Sequence, residues 1–249
     1  MKKNNSKIKV VAASVCGPMH KYRKLPCQDY FKHSSQGRNF VAVVSDGAGS
    51  AKYGKIGAKT VCDTLVDLLS NCTFDEVKNK VQHAISVARD KLIRHRLNRS
   101  KSCDGIMDFS ATVIGVACCH GKGIFFHIGD GAGIALKGND YEAFVASRPE
   151  NGNFSCETFF YTMDDWRDSL RFTSFEQADT IFLMSDGLTN FAFSPDYKRI
   201  ERGFIAPINE FLRETPSKNK AVRALNNTLN TPQAKKLNSD DKTLLWAKI

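Results

Sequence analysis

Apolar residues in this chain gather into short uninterrupted runs set apart by Gly, Asn, Asp and Pro. Residues 10–15, 40–44, 110–119, 125–128, 180–184 and 244–247 are too short for helices of their own and read as strands buried on both faces. Two stretches instead repeat at helical spacing. From about Gly54, Val61, Leu65, Leu68 and Leu69 recur on one stripe. Val77, Val81, Ile85, Ala88 and Leu92 form a second stripe, with Lys78, Lys80, Arg89 and Lys91 on the wet side. Thr73 and Glu76 make a capping box that predicts a long helix starting there. Residues 207–212 and 218–229 read as two further helices, followed by a polar, Lys-containing passage. Residues 17–30 read as a loop from their Gly and Pro. Residues 137–165 are rich in Gly and Asn, with only 141–145 and 157–162 extended, and predict a flap that shapes substrate access. Two groups of strands, each followed by two helices, fit an α+β sandwich.

The runs share an ending. Residues 40–44 stop at Ser45-Asp46-Gly47, and the pattern returns at Ile128-Gly129-Asp130-Gly131 and Met184-Ser185-Asp186-Gly187. One Asp-Gly pair is a hairpin signal and predicts a tight turn. Three, each at the end of an apolar run, place three aspartates at the same end of the strands. Ser239-Asp240-Asp241-Lys242-Thr243 adds a fourth acidic site before the final run, and Asp29, just ahead of Tyr30 and Phe31, is placed to be a fifth carboxylate. Gathered carboxylates repel one another unless cations lie between them, and hard divalent ions suit oxygen ligands.

Composition narrows the setting. At 249 residues with no Pro/Ser-rich linker, residues 1–249 are expected to form one domain. Lys and Arg outnumber Asp and Glu by 36 − 26 = 10, yet they are spread along the chain as a solvated surface. No aromatic and basic residues interleave as a single-strand nucleic-acid platform requires, so no nucleic-acid partner is expected. The loop holding His20, Arg23 and Lys24 is basic enough to receive phosphate, against the plainer readings of a loop-packing histidine and solvated charges. The eight cysteines contain no Cys-x-x-Cys pair and fit a reducing cytoplasm. Lys2 and Lys3 imitate a signal peptide, but the apolar run that follows is too short, and no run has the roughly 18 apolar residues of a membrane span.

In order along the chain, Gln28-Asp29, Ser45-Asp46-Gly47-Ala48-Gly49, Ser110-Ala111-Thr112, Gly129-Asp130-Gly131, Ser185-Asp186-Gly187 and Asp240-Asp241-Lys242-Thr243 resemble the motifs of the protein phosphatase 2C, or PPM-type, metal-dependent serine/threonine phosphatases. Gly17 to His20 and Pro26 to Asp29 resemble the start of its compact bacterial branch. The resemblance implies a four-layer α-β-β-α sandwich of two antiparallel sheets, with two Mg²⁺ or Mn²⁺ ions, and room for a third, at one end. It implies that Asp46 bridges both ions, that the Gly47 carbonyl ligates one, that Asp186 and Asp240 hold the other, and that Asp130 with Asp186 forms the third site. Gln28, Asp29 and Asp241 would stand behind these ligands. The implied reaction is attack on phosphoserine or phosphothreonine by a metal-bridged hydroxide, the partners being a phosphorylated protein and its serine/threonine kinase.

The chain departs from the pattern in three places. Many members have His at the position of Ala48, which donates a proton to the leaving alkoxide; here water or His20 is left for that task. Gln28 stands where many members have Glu. The arginine that grips phosphate has no aligned equivalent, leaving Arg23, Lys24 or His20. A weakly active or inactive relative that binds phosphoproteins or regulates a kinase is the competing reading, and the retained carboxylates favour the enzyme.

Overall fold

The computed structural model describes residues 8–97, 105–149 and 158–249. Its strands are β1 (Lys9–Val15), β2 (Tyr30–Gln36), β3 (Asn39–Ser45), β4 (Val113–Cys119), β5 (Lys122–Ile128), β6 (Ala132–Lys137), β7 (Asp140–Ser147), β8 (Arg171–Phe175), β9 (Thr180–Met184) and β10 (Lys242–Lys248). They pair antiparallel into two five-stranded sheets, ordered β1-β10-β9-β6-β7 and β2-β3-β4-β5-β8.

Side-chain alternation explains why the central strands are apolar throughout. In β3, Val41 and Val43 face helices α2 (Gly54–Leu69) and α3 (Val77–Leu97), where Val61, Leu65, Val81, Ile85 and Leu92 pack with them. Phe40, Ala42 and Val44 point the other way and meet Leu183 and Leu245 of the second sheet. In β10, Leu244 and Trp246 face helices α5 (Arg202–Glu214) and α6 (Lys218–Leu229), while Leu245 and Ala247 face the inter-sheet core. Both faces of both sheets are covered, so alternation into polar positions is lost and the runs are continuous. The architecture is the expected four-layer α-β-β-α sandwich.

Several local expectations are corrected. The 17–30 segment is not all loop: Pro18–Tyr22 is a short helix, α1, with proline in its first turn. The Thr73 capping box forms, Glu76 accepting from the Thr73 N–H at 2.9 Å, but its first turn is a 3₁₀ turn, Phe74–Glu76, ahead of α3. Helix α5 is longer than residues 207–212 and carries Pro207 inside it. The carbonyl that Pro207 leaves without an intrahelical donor belongs to Gly203, which is exposed to solvent. The polar passage after α6 contains α7 (Pro232–Leu237), capped by the Thr231 hydroxyl on the Ala234 N–H; with only Ala234 buried, it shows no apolar period. Between β9 and α5, α4 (Thr189–Ala192) is a single turn.

Within the expected flap, β7 matches the extended reading of 141–145. Residues 150–157, with the start of the 157–162 stretch, lie outside the described residues, as do Lys2, Lys3, Cys103 and Cys156. Residues 158–165 form turns and a bridge in place of a strand, and they are anchored. Tyr161 and Trp166 are fully buried, and the Tyr161 hydroxyl donates to the Gly57 carbonyl at 2.9 Å.

Helix α5 is fixed to its sheet by a buried amide. Trp246 Nε1 donates to Asn209 Oδ1 at 3.0 Å, and Asn209 Nδ2 lies 3.2 Å from both the Tyr141 hydroxyl and Asn139 Oδ1. Asn209→Leu leaves the indole N–H and the phenol without this partner in an apolar layer. We expect a loss of about 3 kcal/mol in urea denaturation at unchanged m-value; a change below about 1 kcal/mol would contradict this account.

Candidate metal centre

Strand register brings the aspartates to one end. Tyr30 pairs with Ser45, so Asp29 and Asp46 are the next residues out of the β2–β3 ladder. Met184 pairs with Ala132 on one side and Leu244 on the other, and Ser185 N–H continues the ladder to the Thr243 carbonyl at 3.1 Å. Asp186 therefore leaves β9 between the β5–β6 turn, which carries Asp130, and the Asp240-Asp241 pair ahead of β10. That turn crosses from one sheet to the other through Gly129 at φ +111°, a conformation that favours glycine.

The loop after β3 is held by backbone. Thr112 N–H donates to the Asp46 carbonyl at 2.8 Å, the Thr112 hydroxyl receives the Asp46 N–H at 3.1 Å, and Ala48 N–H reaches the Ser110 carbonyl at 2.9 Å. This is the structural content of Ser110-Ala111-Thr112. A side chain at Gly47 would meet the Gly54 carbonyl carbon at 2.4 Å, so two glycines let the loop return against the start of α2. The buried Gln28 amide faces the carbonyls of Gly47 at 2.7 Å and Ala48 at 2.9 Å, an orientation in which its nitrogen donates to both. One lone pair on Gly47 is left for another partner.

The carboxylates are crowded and short of donors. Burial pushes the Asp29 carboxyl up to about 6, against hydrogen bonds from Thr243, Asp46 and Ser185 that favour its charge. The Ser185 hydroxyl donates to Asp29 Oδ2 at 2.7 Å. Asp46 is pushed well above the usual carboxylate range by burial and then by Asp29, Asp186 and Asp240. Burial, Asp130, Asp240 and Asp29 do the same to Asp186. Asp130 is raised mainly by burial, although the Thr158 hydroxyl donates to its Oδ2 at 2.7 Å. One oxygen each of Asp29, Asp130 and Asp186 is buried without any hydrogen-bond partner. Buried acceptors without donors, side by side, are what a cation site leaves when only protein is counted.

A sequence comparison with protein families matches residues 16–230 to protein phosphatase 2C. The chain belongs to the protein phosphatase 2C family. Among solved structures, it resembles the serine/threonine phosphatase Stp1 from Staphylococcus aureus, with TM-score 0.69 at 15% identity over 98% of this chain and 96% of that one. The S. agalactiae serine/threonine phosphatase gives TM-score 0.68 at 15% identity, covering 98% and 100%. PppA of Pseudomonas aeruginosa, described as a key regulatory component of T6SS, gives 0.66 at 15% identity, covering 98% of each chain. A comparison with curated proteins returns no significant match. Among the described residues, no helix is long and apolar enough to cross a membrane.

Protein phosphatase 2C enzymes depend on metal, and the donor set here fits hard ions: the carboxylates of Asp46, Asp130, Asp186 and Asp240 and the Gly47 carbonyl. Of the other residues read from the sequence, Asp241 is buried and serves the backbone. It accepts from Gly17 N–H at 2.7 Å and Gln28 N–H at 2.6 Å, and lies 2.8 Å from His20 Nδ1. His20 is thus a buried, packed histidine against a carboxylate, in helix α1 and not in a loop; Arg23 and Lys24 are exposed, as the reading of solvated charges has it. Ligand atoms of His20, Asp240 and Asp241 lie within 4.8 Å of one another. Sequence reading missed Thr158 and Ser185 as donors, and Lys242 as a buried cation beneath the cluster, its Nζ donating to the Asp240 carbonyl at 2.8 Å. The Ser185-Asp186-Gly187 and Asp-Lys-Thr motifs contained two of these.

The raised Asp29 carboxyl gives a pH test. Its usual value is 3.8 and its folded value about 6, so between these the folded state holds the proton more tightly than the unfolded chain. The stability this contributes is complete below about pH 4 and is lost as pH rises through about 6. In chelator, the stability difference between parent and Asp29→Asn should move against the parent by on the order of 3 kcal/mol from pH 4 to 7. A difference independent of pH, read from urea melts, would contradict the burial argument.

Proposed function

We propose that this chain is a metal-dependent protein phosphatase that hydrolyses phosphoserine and phosphothreonine on protein substrates, opposing a serine/threonine kinase, with residues 1–249 acting as one domain. The observation that supports this most is the meeting of Asp29, Asp46, Asp130, Asp186 and Asp240 at one end of both sheets, with buried oxygens left unpaired. In this reading Asp46 would be shared between two Mg²⁺ or Mn²⁺ ions, and the Gly47 carbonyl would help hold one of them. Asp186 and Asp240 would hold the other, and Asp130 with Asp186 would offer a third, weaker position. When bound, the ions supply a water acidified toward neutral pH and positive charge against the phosphoryl oxygens.

The chain's own residues orient this chemistry. Asp29, fixed by the Ser185 hydroxyl, stands behind Asp46; Gln28 fixes the Gly47 and Ala48 carbonyls; Asp241 ties the loops before α1 and β2 to the strand that follows Asp240. With Ala48 in place of histidine, His20 is our candidate to protonate the leaving alkoxide. Its Nδ1 is set against Asp241, and its Nε2 faces the loop after Asp46, 3.7 Å from where a side chain on Gly49 would begin. Arg23 and Lys24 then act on the substrate chain around the phosphate.

Two variants test this. Asp46→Asn should retain its fold, lose stabilisation by Mn²⁺ and hydrolyse a phosphoserine peptide near background, because one negative charge between the cations is gone. Hydrolysis at the parental rate, or full parental activity in excess chelator, rules the site out. His20→Gln should slow the phosphoserine peptide by about 100-fold and an aryl phosphate far less, since a phenolate hardly needs a proton to leave. Equal slowing of both would remove His20 from the proton path.

A further inference from the structure

Helix α1 lies directly on the acidic centre. Met19 N–H donates to the Ser239 carbonyl at 3.2 Å, and a side chain at Gly17 would meet the Asp240 carbonyl carbon at 2.4 Å. His20 is the residue of α1 that turns inward. The rest of the 19–25 segment faces solvent, with a composition unlike an ordinary surface turn. Met19, Tyr22 and Leu25 are 44%, 87% and 39% exposed, and Tyr22 is the most exposed large apolar or aromatic residue among those described. Between them lie exposed Lys21, Arg23 and Lys24. Among the described residues, none of these cations has an ion-pair partner, and residues 17–28 contain no acid.

The way α1 ends points in the same direction. Lys24 N–H bonds to the Lys21 carbonyl at 3.1 Å and Leu25 N–H to the His20 carbonyl at 2.8 Å, a Schellman ending whose left-handed residue is Lys24 at φ +55°. Glycine is the usual occupant, and a lysine there costs on the order of 1 kcal/mol. The apolar residue that follows normally folds back on its helix, yet Leu25 stays 39% exposed. The segment therefore keeps a cation and an apolar side chain outward at positions where local stability favours neither.

We propose that residues 19–25 are a docking lip for phosphoprotein segments that carry Asp or Glu within about three residues of the phosphorylated residue. This deepens the phosphatase reading and rests on it for the phosphate's position. Charge complementarity decides the occupant. A collar of unpaired cations at the edge of the centre draws acidic segments in and repels basic ones. Three residues of extended chain reach about 10 Å, enough to run from the centre along α1. Tyr22, Met19 and Leu25 offer the apolar contact that holds such a segment once it arrives.

The test uses two phosphoserine peptides of equal length, one flanked by Asp and Glu, the other by Lys and Arg. Each is measured by fluorescence-polarisation titration and by turnover with Mn²⁺ at low salt. The acidic peptide should bind at least about tenfold tighter, kcat/KM should follow, and the advantage should shrink in about 0.5 M NaCl. K21E/R23E/K24E should reverse the preference, and Tyr22→Ala should raise KM for the acidic peptide. Equal binding of both peptides by the parent, or an unchanged preference in the triple variant, overturns the proposal. Hydrolysis of p-nitrophenyl phosphate is followed in parallel: its absence with Mn²⁺ fails the phosphatase reading, while the titration still decides the docking lip.

Discussion

Repulsion among buried carboxylates is the constraint on which the rest of this structure depends. Asp29, Asp46, Asp130 and Asp186 are all pushed toward their neutral forms by burial, and the latter three by one another or by Asp240 as well. A fold gains nothing from such a cluster by itself; it destabilises the metal-free protein and persists only if something bound there repays it. The scaffold resists by rigidity. The central strands of both sheets are apolar on both faces, and the layers outside them are fixed by groups such as Asn209 and Tyr161. The acids are thus fixed at strand ends that cannot relax apart.

The surrounding polar residues divide the work. Thr112, Ser185 and Thr158 each donate or accept at one aspartate, leaving other oxygens free. Lys242 supplies a buried positive charge from below, its own ammonium opposed by burial and favoured by Asp240, Asp241, Asp29 and Asp186. Asp240 and Asp241 are neighbours with opposite tasks. The first faces the cluster, and the second turns into the protein, where it receives two backbone N–H groups and lies against His20.

Legibility in the sequence followed the same division. Most covered strands were visible because burial on two faces leaves uninterrupted apolar runs, and the repeated Asp-Gly endings marked where those strands deliver charge; β6, AGIALK, begins on small residues directly behind Asp130-Gly131 and was missed although it is buried through Leu136. The edge strands β2 and β8 were not visible, since YFKHSSQ and RFTSF carry polar residues on a half-covered edge. Helix α1 was hidden by Gly17, Pro18 and Pro26, and its Schellman ending by a lysine where glycine is expected. His20 against Asp241 joins residues 221 positions apart, which no local pattern can reveal. The family resemblance supplied the ligand roles, and the register of β2–β3 and β6–β9–β10 supplies the physical reason the acids meet.

The most direct measurement is a calorimetric titration of the metal-free protein with Mn²⁺ at pH 6, repeated in buffers of different ionisation enthalpy so that released protons are counted. Carboxylates held partly protonated by burial and by one another must give up protons to bind cations. At least two ions should bind with net proton release, and the release should fall as pH rises toward 8. Binding of no more than one ion, or binding with no proton release at pH 6, would contradict the account of a carboxylate cluster built around cations.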